Sequence, residues 1–499
     1  MVISELIGGH SSGISLISAR GGGQLTAGEL NGLIERTVRS LNQAGAGRED
    51  RVAVVLPNGP ELACAFFAVS ACCVFAPLNP AYSEREFEFY LRDLDVQFLI
   101  TQEGFCDAAS NTANALGISI LLLRMQCDKA AGSFVLEGGT RRAARLPGLA
   151  EANDTALLLH TSGTTARPKL IPLSHKNLTF SALNIAATLG LNPDDRCMNV
   201  MPLFHIHGLV GALLASIAAG CPVYCTPGFN ALQFMRLLRE SDANWYTAVP
   251  TMHQMIVGRE AQVAGLRQLR FIRSSSAHLS VKIAEQLEDR FGCAALNSYG
   301  MTEASHQVSS NPPLPGTRKQ GSVGVSRTTR FGILRAGRVT EGPSETGEVV
   351  IQGEAVMDGY LVPEEANAMA FHEEWFRTGD LGQVDNDGYL TLRGRIKEII
   401  NSGGEKISPA EIDEILLAHP VVASAVCFGA SCADLGEKVC AAVVLREGES
   451  ASEAELKTFA RDRLARFKVP RQILIVKDIP RGATGKIQRI GMAKRLGME

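Results

Sequence analysis

Several absences narrow the reading of this chain. No CxxC pair occurs among its 12 cysteines, which argues against zinc ribbons and thioredoxin-type redox sites. The cysteines sit irregularly in apolar runs, such as those around Cys64 and Cys440, with Cys72 and Cys73 adjacent. Thiols of that kind are expected to be buried and reduced. An excess of positive charge is also missing: a net charge of −3 argues against a nucleic-acid protein working through a basic surface. The opening Met-Val-Ile-Ser-Glu-Leu-Ile lacks the basic stretch and long apolar core of a secretory signal. The tail Leu-Gly-Met-Glu matches no peroxisomal or lipidation signal. Two uncharged runs, Leu62–Leu78 and Gly208–Cys225, are about the minimum length of a membrane span. Both are rich in Ala, Gly and Cys with a proline near the end, so each is expected to be a buried helix followed by a strand. A cytoplasmic protein without a membrane span is expected, as a monomer or a homodimer.

What is present points to a globular protein of two or more domains, with 499 residues, 45% hydrophobic and 20% charged. Thr26 is placed to cap a helix over Glu29–Gln43, before a strand over Arg51–Leu56 that ends at Pro57-Asn58-Gly59. Helix Leu62–Ser70, strand Val74–Leu78, a capped helix start at Ser83–Glu86 and strand Val96–Thr101 follow. This βαβα alternation predicts a largely parallel, helix-covered sheet. Residues 102–150 show no strong periodicity and are expected to be loop-rich. Further α/β units follow: helix Lys176–Leu189, strand Met198–Pro202, helix Ala231–Glu240, strand Trp245–Val249, helix Val281–Phe291 and strand Ala294–Tyr299. Past residue 315 short alternating stretches predict an antiparallel section. From Gly394 a compact α+β unit can be drawn, with helices Pro409–Ala418 and Ser452–Ala465 and strands Val422–Phe428, Lys438–Leu445 and Gln472–Val476.

Chemistry-bearing residues cluster at several predicted strand ends, where open α/β sheets place ligands. His160-Thr161-Ser162-Gly163-Thr164-Thr165-Ala166-Arg167-Pro168-Lys169 packs four hydroxyls, a glycine and two cations after the apolar run Ala156–Leu159. Amides, hydroxyls and a neutralising charge are what a polyphosphate needs, although the Walker pattern does not fit the string and a surface loop has the same composition. Tyr299-Gly300-Met301-Thr302-Glu303 offers a ring to stack, a hydroxyl and a carboxylate suited to Mg²⁺; an ordinary turn reads the same. Gly379-Asp380 could accept both hydroxyls of a ribose, or be an Asx turn. Gly394–Gly404 puts charge at a domain junction, and Lys486 ends a glycine-bearing basic loop; both could be merely solvated. His205, His207 and His278 near strand ends lack the spacing of a zinc site.

Together and in this order, these strings resemble the adenylate-forming superfamily of acyl-CoA synthetases, firefly-type luciferases and peptide-synthetase adenylation domains, over about residues 20–490. The resemblance implies a large N-terminal α/β domain (1–394) that binds ATP and a carboxylic acid. A hinge (395–397) and a small mobile α+β domain (398–499) complete it. Thr161, Ser162, Gly163, Thr164, Thr165 and Lys169 match the phosphate loop, with two departures: Ala166 stands where most relatives have glycine or serine, and Leu170 where most have glycine. Tyr299 and the Ser275-Ser276-Ala277 backbone would sandwich adenine, with Asn297 and Gly300 in the same ATP-binding group. Thr302 would contact phosphate, Glu303 would ligate Mg²⁺, and Asp380 and Arg395 would hold the ribose. Lys397 matches the hinge, Gly403 and Gly404 the face that admits CoA, and Lys486 the catalytic lysine, with His205 in the catalytic group.

Within the superfamily, Met201–Gly208, Trp245–Thr251, Arg270–Ala277 and Glu303–His306 look most like the oxalate–CoA ligase branch. His207, Ser275 and His306 are the candidate donors for a short diacid, the alternative being that the two histidines only buttress loops. The implied activity is AMP-forming acid–CoA ligation with oxalate as the acid; another short, medium-chain or aromatic acid is the alternative. A luciferase-like oxygenase shares the first half-reaction. A non-catalytic AMP-binding protein is disfavoured because Lys169, Glu303 and Lys486 are all present, and a peptide-synthetase module because no carrier domain fits after residue 490.

Overall fold

The computed structural model describes residues 1–7, 13–19, 23–126, 129–139, 143–161, 168–259, 263–432, 434–481 and 487–498. Helix starts follow the capping chemistry read from the sequence. Thr26 and Glu29, and likewise Ser83 and Glu86, satisfy each other's backbone amides in reciprocal capping boxes. Their helices run Ala27–Ala44 and Glu84–Asp93. Helix Pro60–Ser70 is buried at every residue but Glu61, and it packs on the first helix and on strands of two different sheets. With strand Val74–Pro77 it accounts for the first uncharged run. No helix among the described residues is long and apolar enough to cross a membrane.

Among the described residues the strands form four sheets. The seven-stranded sheet runs in the order Phe134–Gly138, Ser119–Met125, Phe98–Thr101, Arg51–Val55, Val74–Pro77, Thr155–His160, Leu170–Ser174. It is parallel at its centre and antiparallel at both edges. The eight-stranded sheet has Cys197–Asn199, Trp245–Ala248, Phe271–Ser274 and Ala294–Met301 as parallel neighbours, with His306–Ser310 antiparallel at its edge. One apolar cluster, from Val52 and Phe75 to Trp245 and Phe271, joins the two layers. The section past residue 315 is antiparallel, as expected, and includes Gly347–Gln352, Trp375–Val384 and Leu390–Arg395.

The last sheet is built on Val422–Cys432 and Gly436–Leu445. Ala425 and Cys427 pack on one face and Val426 and Phe428 on the other, so its strands are apolar throughout rather than alternating. Lys282 Nζ donates to the Leu417 and His419 carbonyls at 2.9 and 3.2 Å, and His278 pairs with Glu414. Both contacts tie this unit to the larger sheets.

One stretch is more ordered than expected. Between its loops, 102–150 carries helix Asp107–Ala115 and strands Ser119–Met125 and Phe134–Gly138. The helix is written in Ala, Ser, Asn and Thr, and the second strand is an edge with most of its side chains exposed, so neither carries the contrast that periodicity detects.

Candidate active site

The phosphate-loop candidate lies in sequence between two antiparallel strands. Strand Thr155–His160 delivers the chain and Leu170–Ser174 returns it antiparallel, His160 opposite Leu170. Thr161 and Lys169 close the neck: the Thr161 amide donates to the Lys169 carbonyl at 2.9 Å, and the Lys169 amide to Thr161 Oγ1 at 3.1 Å. Ser162, Gly163, Thr164 and Thr165 lie outside the described residues. Leu170 is a fully buried strand residue whose amide donates to the Val362 carbonyl at 2.7 Å. A leucine there anchors the hairpin base in the core.

Lys169 Nζ stands 4.0 Å from the centre of the Tyr360 ring, and the Tyr360 hydroxyl donates to Glu303 Oε1 at 3.0 Å. Glu303 follows Thr302 on a short 3₁₀ turn, 8% exposed. Burial raises its pKa and the hydrogen bond from Tyr360 opposes that; burial lowers Lys169 while the Glu303 carboxylate holds it up. A shielded carboxylate beside a cation fits Mg²⁺, which characteristically uses one or two carboxylates and completes its shell with phosphate oxygens and water.

Asp380 and Arg395 face each other across an antiparallel pair. Arg395 Nε lies 2.9 Å from Asp380 Oδ1, and the Tyr299 hydroxyl donates to Oδ2 at 2.6 Å. Each carboxylate oxygen keeps lone-pair capacity for a further donor, so the pair can accept both hydroxyls of a ribose. Two residues before Tyr299, and on the same face of the strand, Asn297 Oδ1 is buried with no hydrogen-bond partner among the described residues. An orphan acceptor at that depth fits an amino group on a flat base. Gly300 is obligatory: a Cβ there would sit 1.6 Å from the His306 carbonyl oxygen.

The second uncharged run begins with a π-helix, His207–Leu214, and ends in strand Val223–Cys225; π-helical turns concentrate at functional sites. His207 Nε2 lies 2.6 Å from Thr247 Oγ1, and its Nδ1 3.1 Å from Ser276 Oγ. The His306 ring stacks on it, centres 4.7 Å apart. Arg273 lies behind, its NH1 3.1 Å from His306 Nε2.

The hydroxyl on His207 belongs to Ser276, whereas Ser275 Oγ donates to the Ser298 carbonyl at 3.4 Å. Ser276 adopts φ +72°, which breaks the alternation of the strand before it. Ala277 is exposed next to it, and the His205 ring lies against Phe204 at 4.7 Å.

Lys397 is exposed on a 3₁₀ turn after Arg395. Gly403 and Gly404 form a two-residue hairpin turn, φ +60° and +89°, between paired Ser402 and Glu405. Lys486 lies outside the described residues. Arg273 and Tyr360 had no role in the sequence reading. Both touch residues 33 and 57 positions away, which no local pattern announces.

The model for the AMP-binding enzyme family matches residues 9–361, and that for the AMP-binding enzyme C-terminal domain residues 411–486. An oxalate–CoA ligase of Arabidopsis thaliana is 43% identical, covering 95% of this chain and 94% of that one. An oxalate–CoA ligase of Saccharomyces cerevisiae is 40% identical, covering 89% and 86%. The structure of an o-succinylbenzoate CoA synthetase from Bacillus subtilis, in complex with ATP and magnesium ion, superposes with a TM-score of 0.82 at 29% identity, covering 98% of each chain. The chain belongs to the AMP-binding enzyme family.

Proposed function

We propose that the protein is an AMP-forming acid–CoA ligase whose acid is oxalate. The observation that carries this choice is the polar wall made by His207, Ser276, His306 and Arg273 beside the residues suited to ATP. A fatty acid needs an apolar tunnel, whereas a short diacid needs donors for its second carboxylate. The oxalate–CoA ligases among the relatives support the same reading.

Thr161, Ser162, Gly163, Thr164, Thr165 and Lys169 would grip the β- and γ-phosphates. Asn297, Tyr299, Gly300 and the Ser276-Ala277 backbone would hold adenine, and Asp380 and Arg395 the ribose. A carboxylate oxygen attacks the α-phosphorus as the bond to the bridging oxygen breaks, giving pyrophosphate and the acyl-adenylate. Thr302 and Lys486 stabilise the charge that develops there. Held by Glu303, Mg²⁺ would neutralise phosphate charge. The domain comprising residues 398–499 then turns about Lys397 against residues 1–394, Lys486 withdraws, and the Gly403-Gly404 face admits CoA. The thiolate attacks the acyl carbon and AMP leaves. We place this enzyme in the cytoplasm, as a monomer or a homodimer.

The test is ATP- and CoA-dependent AMP release with oxalate, malonate, acetate, octanoate and coumarate. Oxalate is expected to lead in kcat/KM by at least about tenfold, the effect of one well-placed polar contact. A higher value for octanoate or coumarate sinks the assignment of the acid.

A further inference from the structure

We infer that Arg273 is a positioning residue that makes the acid site selective for a doubly charged acid, acting through His306. The inference rests on the reading of the site as one for a short diacid.

Arg273 stands on strand Phe271–Ser274 with 0% of its surface exposed. Its donors meet only neutral acceptors: NH1 to His306 Nε2 at 3.1 Å and to the Gly211 carbonyl at 3.4 Å, NH2 to Gln307 Oε1 at 2.9 Å. Nε is buried without a hydrogen-bond partner, and among the described residues no carboxylate forms an ion pair with Arg273. The thiol nearby, Cys197, is itself held protonated by burial. Burial pushes the guanidinium down to about 9, so it is still cationic at neutral pH. A buried charge with no counter-ion is costly and is retained where a ligand can use it.

The surroundings are arranged to keep this contact. Gln307 is oriented by its own amide, which donates to Thr188 Oγ1 at 3.3 Å. Gly211 sits within a helix, where glycine is disfavoured; a Cβ there would lie 2.4 Å from His306 Nε2 and 3.1 Å from Arg273 NH1. A guanidinium can only donate, so His306 Nε2 accepts and the ring proton is fixed on Nδ1. The ring therefore offers one N–H donor of fixed direction, backed by a cation in a low-dielectric wall. A second carboxylate gains from both, while a neutral group of the same shape gains only the hydrogen bond.

Oxamate supplies that neutral comparison: it is oxalate with one carboxylate replaced by an amide. Pyrophosphate exchange into ATP is measured with each acid for the wild type, Arg273→Met, Arg273→Lys and Gly211→Ala. The oxalate-to-oxamate ratio in kcat/KM is expected to fall at least about tenfold in Arg273→Met and Gly211→Ala, mainly through KM for oxalate. KM for ATP should stay within about twofold, and Arg273→Lys should recover part of the ratio. An unchanged ratio, or an equal loss for both acids and ATP, overturns the inference. If Arg273→Met does not fold, Gly211→Ala and Arg273→Lys carry the comparison. Nitrogen NMR of labelled histidine gives a second reading that needs no acid turnover. His306 protonated on Nε2 in the wild type would overturn the pairing whatever the acid. Failure of the wild type to use oxalate, with His306 protonated on Nδ1, would instead refute the assignment of the acid.

Discussion

Lys486→Ala is expected to abolish adenylate formation, by at least about 10³-fold, while leaving thioester formation from a supplied acyl-adenylate close to wild type. Attack of one anion on another needs a cation at the α-phosphate, and the first half-reaction alone passes through that state. Arg481 and Ile487, which flank the stretch containing Lys486 in the sequence, are joined by an antiparallel bridge. Pyrophosphate exchange reports the first step, and AMP release from the adenylate plus CoA reports the second. Equal loss in both assays would refute the idea that one domain serves two orientations.

The next largest effect is expected at Asp380. Asp380→Asn should raise KM for ATP by about 10- to 100-fold and leave KM for the acid within about twofold, because two donors converge on this carboxylate. Arg395 Nε and the Tyr299 hydroxyl each claim one oxygen. An amide has one oxygen, so its NH₂ must face one of those donors and leave it unsatisfied. Tyr299→Phe removes a single hydrogen bond and should cost less. Steady-state kinetics with each substrate varied in turn decides the matter. A Tyr299→Phe loss as large as that of Asp380→Asn, or a change in KM for the acid, would contradict the ribose assignment.

The two histidines and the serine proposed to face the acid show where sequence reading stops. His207 and His306 are 99 positions apart, and their strings resembled those of related enzymes closely enough to be paired. The serine expected with them is Ser275, whereas the hydroxyl on His207 is that of Ser276. Along a regular strand, side chains alternate faces, so the parity of Ser275 or Ser276 depends on where the strand ends. It ends at Ser274, and the left-handed backbone of Ser276 aims its hydroxyl at His207. Arg273 was passed over for a related reason: a charged side chain is ordinarily exposed. Only the packing of Gly211, Gln307 and His306 around it makes it a buried cation.

The sequence by itself determined the alternation of strands and helices, the capped helix starts and the order of the motifs, because these depend on apolar contrast and short-range hydrogen bonding. It also marked residues 160–169 as the candidate phosphate loop, from hydroxyls, glycine and lysine packed within ten residues. Only the tertiary structure decided which residues meet: Tyr360 between Lys169 and Glu303, Tyr299 on Asp380, Arg273 behind His306. Those contacts join different strands and sheets. Their geometry follows from sheet register and core packing, which no window along the chain contains.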